Sequence, residues 1–167
     1  MKLIIQRVSE ASVTVDGICK GSIGAGYMVL VGCRYDDARK DAEFLAQKLA
    51  SLRVFQDENE KMNLSILQTG GSVLLVSQFT LYADTQKGNR PGFKLAGDPT
   101  KAKVIFNDFI DEMRRILGAE KVATGVFATE MRVALINEGP VTIELCSDSQ
   151  PWHGTPVVEP LQPDSHF

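Results

Sequence analysis

The chain is 167 residues long, 44% apolar and 23% charged, with a formal net charge of −3. Those values describe an ordinary globular domain, large enough to bury about 70% of its unfolded surface, and they give no global sign of a nucleic-acid binder. No run approaches the roughly 20 apolar residues that span a bilayer, and no signal-peptide core is expected at the start. Cys19, Cys33 and Cys146 are odd in number, far apart and outside CxxC spacing, which predicts a reduced, cytoplasmic protein without a disulfide framework or zinc site. Both histidines, His153 and His166, fall in the last fifteen residues. A Ser-His-Asp or Cys-His machine, or a histidine metal site, is therefore excluded from the body of the fold. No metal and no cofactor is expected.

Taken in order, residues 2–9 and 11–16 alternate as two strands, and Asp16-Gly17 predicts a hairpin into a third at 18–23. Residues 27–33 read as a strand buried on both faces. Asp36 or Asp37 is positioned to cap a helix whose apolar stripe is Ala38, Ala42, Leu45, Leu49 and Leu52. Residues 53–56 read as a short strand, 57–61 as a charged turn, and 62–67 are ambiguous. Gly70-Gly71 precedes a second fully buried strand at 73–76.

That strand ends in Ser77-Gln78-Phe79-Thr80, three hydrogen-bonding side chains without a charge. Such a set suits a site that orients a substrate; it equally suits a strand end whose hydroxyls bond nearby backbone. The loop over 83–97 is long for a compact domain. It holds Lys87, Arg90 and Lys94 without an acid after Asp84, the local charge that a phosphate backbone needs, or else a plain solvated loop. Asp98-Pro99 opens a helix with Ala102, Ile105, Phe106, Phe109, Ile110, Met113, Ile116 and Leu117 inward, and Gly118 closes it. Three strand-like runs follow at 121–127, 130–136 and 141–145. Asn137-Glu138-Gly139-Pro140 lies between the last two, an ordinary turn composition, although a Gly-Pro step also makes a cis bond accessible. The domain is placed at 1–148, and 149–167 is expected to be a tail outside the fold.

Together, SQFTLYAD at 77–84 and NEGPVT at 137–142 resemble the D-aminoacyl-tRNA deacylase family. The likeness extends over the IIQRVSEASVTVDG opening, KMNLS at 61–65, KGNRPGF at 87–93 and GVFATEM at 125–131. It implies an editing hydrolase that cleaves D-aminoacyl-tRNA and glycyl-tRNA and acts as a homodimer with its sites at the subunit interface. Ser77, Gln78, Phe79 and Thr80 would line the pocket. Gly139 and Pro140 would form a chirality filter reaching in from the other subunit, with Arg7 holding its orientation. Phe127 and Met131 would meet the terminal adenosine, with Lys87 and Arg90 also on the tRNA side. Two departures stand out: Gly92 where the family often has Ser, and Ala128-Thr129 where it often has Gly-Ala. The second adds a methyl beside the expected adenosine pocket.

An aminoacyl ester is labile and the adjacent ribose hydroxyl can assist its attack, so positioning and oxyanion stabilisation suffice without histidine. The N–H groups of Phe79 and Thr80 are the candidate donors, and Thr80 is read as an orienting group in preference to a nucleophile. Other readings are a deacylase for mischarged small L-amino acids, a non-catalytic tRNA-binding domain, and a small-molecule esterase. The expected fold is α+β, a mostly antiparallel, barrel-like sheet with two packed helices.

Overall fold

The computed structural model describes residues 1–147; the expected tail at 149–167, with Trp152, His153 and His166, lies outside the described residues. Its hub is β1 (Lys2–Val15), one continuous strand where two were expected. One edge of β1 pairs antiparallel with β3 (Gly26–Gly32) along its first half and with β2 (Ile18–Ile23) along its second. The other edge pairs with β8 (Arg132–Cys146) along nearly all of its length. The Asp16-Gly17 hairpin is present, with φ of 49° and 76°, the two left-handed residues that a type I′ turn requires.

Beyond β3 the sheet continues through β6 (Ser72–Ser77) and β7 (Val122–Thr124), both pairings parallel. The expected α+β class stands, with a mixed sheet. Parallel neighbours need long crossovers, and the chain between β3 and β6 and again between β6 and β7 supplies them. The sheet order is β2-β1-β3-β6-β7, and its far ends approach each other at Gly21. A side-chain carbon there would lie 2.9 Å from the Thr124 carbonyl oxygen and 3.3 Å from Ala123 Cβ. Glycine lets β2 fold onto β7, and the sheet nearly closes.

Two cores result. Val8, Ala11, Val13, Met28, Leu74 and Val76 fill the inside of the curled sheet. The opposite face, including Leu3, Ile5, Tyr27, Val29, Val73 and Leu75, carries α1 (Arg39–Ser51) and α3 (Pro99–Leu117). Alternate residues of β3 and β6 thus enter different cores, which is why both strands read as unbroken apolar runs. On α3 the Asp98 carboxylate accepts from the Thr100 and Lys101 N–H groups, Pro99 takes the first turn, and Gly118 closes the helix. The ambiguous stretch resolves into β5 (Met62–Ser65), paired with β4 (Arg53–Gln56), and one helical turn, α2 (Ile66–Thr69).

Two expectations fail for long-range reasons. Neither Asp36 nor Asp37 caps α1, and Ala38 is exposed and not part of its stripe. Asp41 reaches back to the Ala38 N–H (2.9 Å) instead. Asp37 is buried, accepting from the Met1 ammonium and from the Arg34 N–H, each at 2.5 Å. Burial pushes the Asp37 carboxyl up, and the ammonium opposes that shift. The runs at 130–136 and 141–145 are one strand: β8 keeps its direction across 137–140, and both halves pair with β1. No helix among the described residues is long and apolar enough to cross a membrane.

Candidate active site

At the C-terminal end of β6 the chain stops pairing and tightens. Ser77 is the last residue in register with β3, opposite Val31. The Gln78 N–H still donates to the Val31 carbonyl (2.8 Å), and residues Phe79–Tyr82 then form a 3-10 turn. In that turn the Leu81 N–H returns to the Gln78 carbonyl (3.3 Å) and the Ala83 N–H to the Thr80 carbonyl (3.1 Å). The first N–H groups of such a turn have no acceptor within it. Those are the N–H groups of Phe79 and Thr80. The Gln78 side-chain amide donates to Thr80 Oγ1, so the hydroxyl proton of Thr80 is left to point away from it. The turn lies tight against β3: a side-chain carbon at Gly32 would sit 3.0 Å from Leu81 Cβ and 3.2 Å from the Gln78 carbonyl oxygen.

Two loops flank this end of β6. On the β7 side the Gly125 N–H donates to the Leu75 carbonyl (2.9 Å), carrying the 125–131 turn alongside Ser77. Phe127 packs against Phe106 at a ring separation of 5.9 Å, on the helical face. Met131 packs against the inner core, with its sulfur over Gly125. Both are half-buried, and they pack against different cores. On the β3 side lies the basic loop. It is closed at its base by reciprocal backbone bonds between Asp84 and Gly92 (2.7 and 2.9 Å), with Lys87 and Arg90 exposed on the excursion between them. The next residue, Phe93, meets Phe79 edge to face at 5.0 Å.

The Gly139-Pro140 segment is a bulge in β8. Thr142 pairs with Gln6 and Asn137 with Val8, so residues 138–141 stand out from the sheet opposite Arg7 alone. The Asn137 side chain ties the base of the bulge: its Oδ1 accepts from the Val141 N–H (2.8 Å) and its Nδ2 donates to the Val141 carbonyl (3.3 Å) and Thr142 Oγ1 (3.1 Å). Gly139 has φ of 125°, and the Gly139–Pro140 peptide is cis. Arg7 Nε donates to the Glu138 carbonyl (3.1 Å), and its terminal nitrogen to the Val54 carbonyl (2.5 Å) on β4. The guanidinium lies so close that a side-chain carbon on Gly139 would be 3.0 Å from it. Tyr27, opposite Arg7 on β3, stacks on Phe55 and donates to the Leu52 carbonyl; burial holds its phenol well above the ordinary range.

Ser77, Gln78, Phe79 and Thr80 are thus one cluster, and Arg7, Gly139 and Pro140 another. The clusters lie apart. Ser77 is opposite Val31 and Arg7 opposite Tyr27, a separation of four residues, or about 13 Å along β3. Three strand spacings across the order β6-β3-β1-β8 add to it. The clamp made by Asn137 and the anchor at Val54 were not anticipated, the first because Asn-Glu-Gly-Pro reads as a reversing turn, the second because β4 lies 47 residues away in sequence from Arg7. Phe93 was also missed; its signal was an aromatic immediately after a Gly/Pro-rich basic loop. Among the described residues, no group of three or more His, Cys, Asp or Glu could hold a metal ion.

The family model for D-Tyr-tRNA(Tyr) deacylase matches residues 4–146. A D-aminoacyl-tRNA deacylase of Koribacter versatilis is 51% identical, the match covering 90% of this chain and 99% of that one. Another from Thermomicrobium roseum is 54% identical, covering 88% and 94%. Among solved structures, the c-Myc DNA Unwinding Element Binding Protein superposes with a TM-score of 0.83 at 41% identity, covering 87% of this chain and 97% of that one. A probable eukaryotic D-amino acid tRNA deacylase, at 16% identity and a TM-score of 0.76, shares the fold. The family model and the curated relatives agree on the class, a deacylase. More narrowly, the chain belongs to the D-Tyr-tRNA(Tyr) deacylase family.

Proposed function

We propose that this protein hydrolyses the ester joining a D-amino acid, or glycine, to the 3′-terminal ribose of tRNA, and that it does so as a homodimer. The observation that carries the reading is a site built from backbone. At the end of β6, two N–H groups without an acceptor in their turn lie beside a threonine hydroxyl that already accepts from Gln78. The ester carbonyl oxygen sits on the Phe79 and Thr80 N–H groups, which stabilise the oxyanion as water adds; such a donor contributes about 10²–10³ in rate. The water oxygen bonds to the acyl carbon, the bond to the ribose oxygen breaks, and that oxygen leaves with a proton, assisted by the neighbouring ribose hydroxyl. Thr80 orients the substrate. Its hydroxyl oxygen is met by the Gln78 amide, a donor, which cannot take a proton from it as a base would.

Selection against L-esters falls to the bulge at Gly139 and Pro140, whose carbonyls receive the substrate's α-amino group. An L side chain would then point into backbone and a D side chain to solvent. Exclusion of this kind is indifferent to side-chain identity and has no grip on glycine. The separation of the two clusters within one chain supports the dimer: they can share a substrate only if a second copy brings its bulge to the first copy's Thr80. Phe127 and Met131, on the β7 side, receive the terminal adenosine, and Lys87 and Arg90 the tRNA phosphates.

The test is deacylation of D-tyrosyl-, L-tyrosyl- and glycyl-tRNA by the purified protein with a chelator present. Loss of the D-tyrosyl and glycyl esters, with the L-tyrosyl ester spared, is expected. Survival of all three while tRNA still binds would overturn the enzymatic reading, and resistance of glycyl-tRNA alone would overturn exclusion as the basis of selection.

A further inference from the structure

Phe79 and Phe93 are large apolar side chains left 58% and 40% exposed, in edge-to-face contact at 5.0 Å. We infer that this ring pair is a stacking platform for the unpaired nucleotide next to the terminal adenosine of the tRNA. The inference rests on the deacylase reading and assigns that site a second nucleotide position.

Three features of the chain point to a nucleic-acid base as the occupant. First, Phe79 lies between Gln78 and Thr80, so an ester bound at the Thr80 N–H brings its own nucleotide chain past the ring. Second, the platform is held in advance. The segment carrying Phe93 is tied at Gly92 to Asp84, at Leu95 to the Tyr35 N–H (3.1 Å), and at Gly97 to the Cys33 carbonyl (2.9 Å). Phe93 also closes its own turn, its carbonyl accepting from the Ala96 N–H (3.1 Å). Third, the charge fits. Lys87, Arg90 and Lys94 lie on the same segment with no acid from Thr85 to Gly97, in a chain whose net charge is −3. Exposed aromatic faces bordered by cations are how proteins hold single-stranded nucleic acid: the rings take the bases and the cations follow the phosphates.

The position separates this platform from the adenosine pocket. The segment carrying Phe93 follows the β3 side of the β6 end, bonded through Leu95 and Gly97 to residues just after β3, whereas Phe127 and Met131 follow the β7 side. A terminal adenosine at Phe127 and Met131 leaves the opposite flank for the residue that precedes it.

The experiment compares two substrates and two variants. D-tyrosyl-tRNA carries the penultimate nucleotide; the D-tyrosyl ester of adenosine lacks it. For Phe93→Ala, the ratio of kcat/KM on the tRNA to kcat/KM on the adenosine ester is expected to fall about 5- to 100-fold, the effect of losing one base–aromatic stack. Phe93→Trp, which restores a flat ring, is expected to recover most of that ratio. An unchanged ratio in Phe93→Ala would overturn the inference. So would equal losses on both substrates accompanied by dissociation in sedimentation, because the rings would then belong to an interface between copies. If the parent protein hydrolysed neither ester, the deacylase reading itself would fall, a result distinct from either of the others.

Discussion

Replacing Arg7 tests whether the bulge must be held in place to act. The guanidinium spans two carbonyls, Glu138 at 3.1 Å and Val54 at 2.5 Å, and so ties the bulge in β8 to β4. Hydrogen bonds from a charged donor contribute about 1.5–3 kcal/mol each, and the exposed bond to Glu138 belongs at or below the low end of that range. Arg7→Ala should therefore cost about 2–4 kcal/mol of stability, read as a shift in the urea midpoint with an unchanged slope. The larger effect is expected in function, since displacing a substrate-positioning group by about 1 Å can cost 10²-fold in rate. Single-turnover hydrolysis of D-tyrosyl-tRNA should slow by about that factor, and the ratio of D to L hydrolysis should shrink. Arg7→Lys separates geometry from charge: an ammonium keeps the charge but lacks the planar fork that reaches two acceptors. It should therefore resemble Arg7→Ala in selectivity. If either variant lost stability while keeping the parental rate and D-to-L ratio, Arg7 would be a strut of the fold only, and the reasoning about the bulge would be wrong.

The remaining tests address other parts of the molecule. Gly32→Val places carbon where Leu81 and the Gln78 carbonyl already sit at 3.0–3.2 Å, so kcat should drop by one to two orders of magnitude while circular dichroism stays parental. Asp37→Ala leaves the buried Met1 ammonium without its counter-charge, with Ser147 Oγ (2.8 Å) still accepting from it, and should cost about 3–5 kcal/mol in denaturant titrations. At alkaline pH the protein should lose stability. Burial pushes the Cys33 thiol from 9.0 up to about 12 and raises the Tyr27 phenol in the same direction. Folded protein then holds these protons more tightly than unfolded chain, so their contribution is complete below pH 9 and is lost as pH rises toward 12. Melting temperatures from pH 8 to pH 11 should show that fall, reduced in Cys33→Ala measured against its own pH 8 value.

How much of this was legible beforehand depended on the range of the interactions. The hairpin at Asp16-Gly17 and the caps of α3 were readable because the groups that satisfy each other are within a few residues. Asp37 reads as a cap although its partner is the ammonium 36 residues away; no local pattern distinguishes a buried ion pair from a cap. Asn-Glu-Gly-Pro reads as a break between two strands for a similar reason. Its composition is that of a reversing turn, and only the register of β8 against β1 shows the chain continuing in the same direction. Gly32 and Gly21 carried no signal at all, since their requirement is set by backbone arriving from the other side of the sheet. The segment from Ser77 to Thr80 was conspicuous because its polarity changes at once after a buried strand, whereas its 3-10 geometry was not.

If the bulge of β8 selects the substrate as proposed, its anchoring sets how selectivity should respond to heat. It is not a flap on a hinge: both flanks are hydrogen-bonded into β1, Asn137 ties its base, and Arg7 braces its shoulder. A rivet set in a wall moves only when the wall moves. Local opening, which in many enzymes loosens a binding loop well below the melting temperature, has little to act on here. Fidelity should thus be nearly athermal, with the ratio of D to L hydrolysis staying level on warming and collapsing together with the sheet.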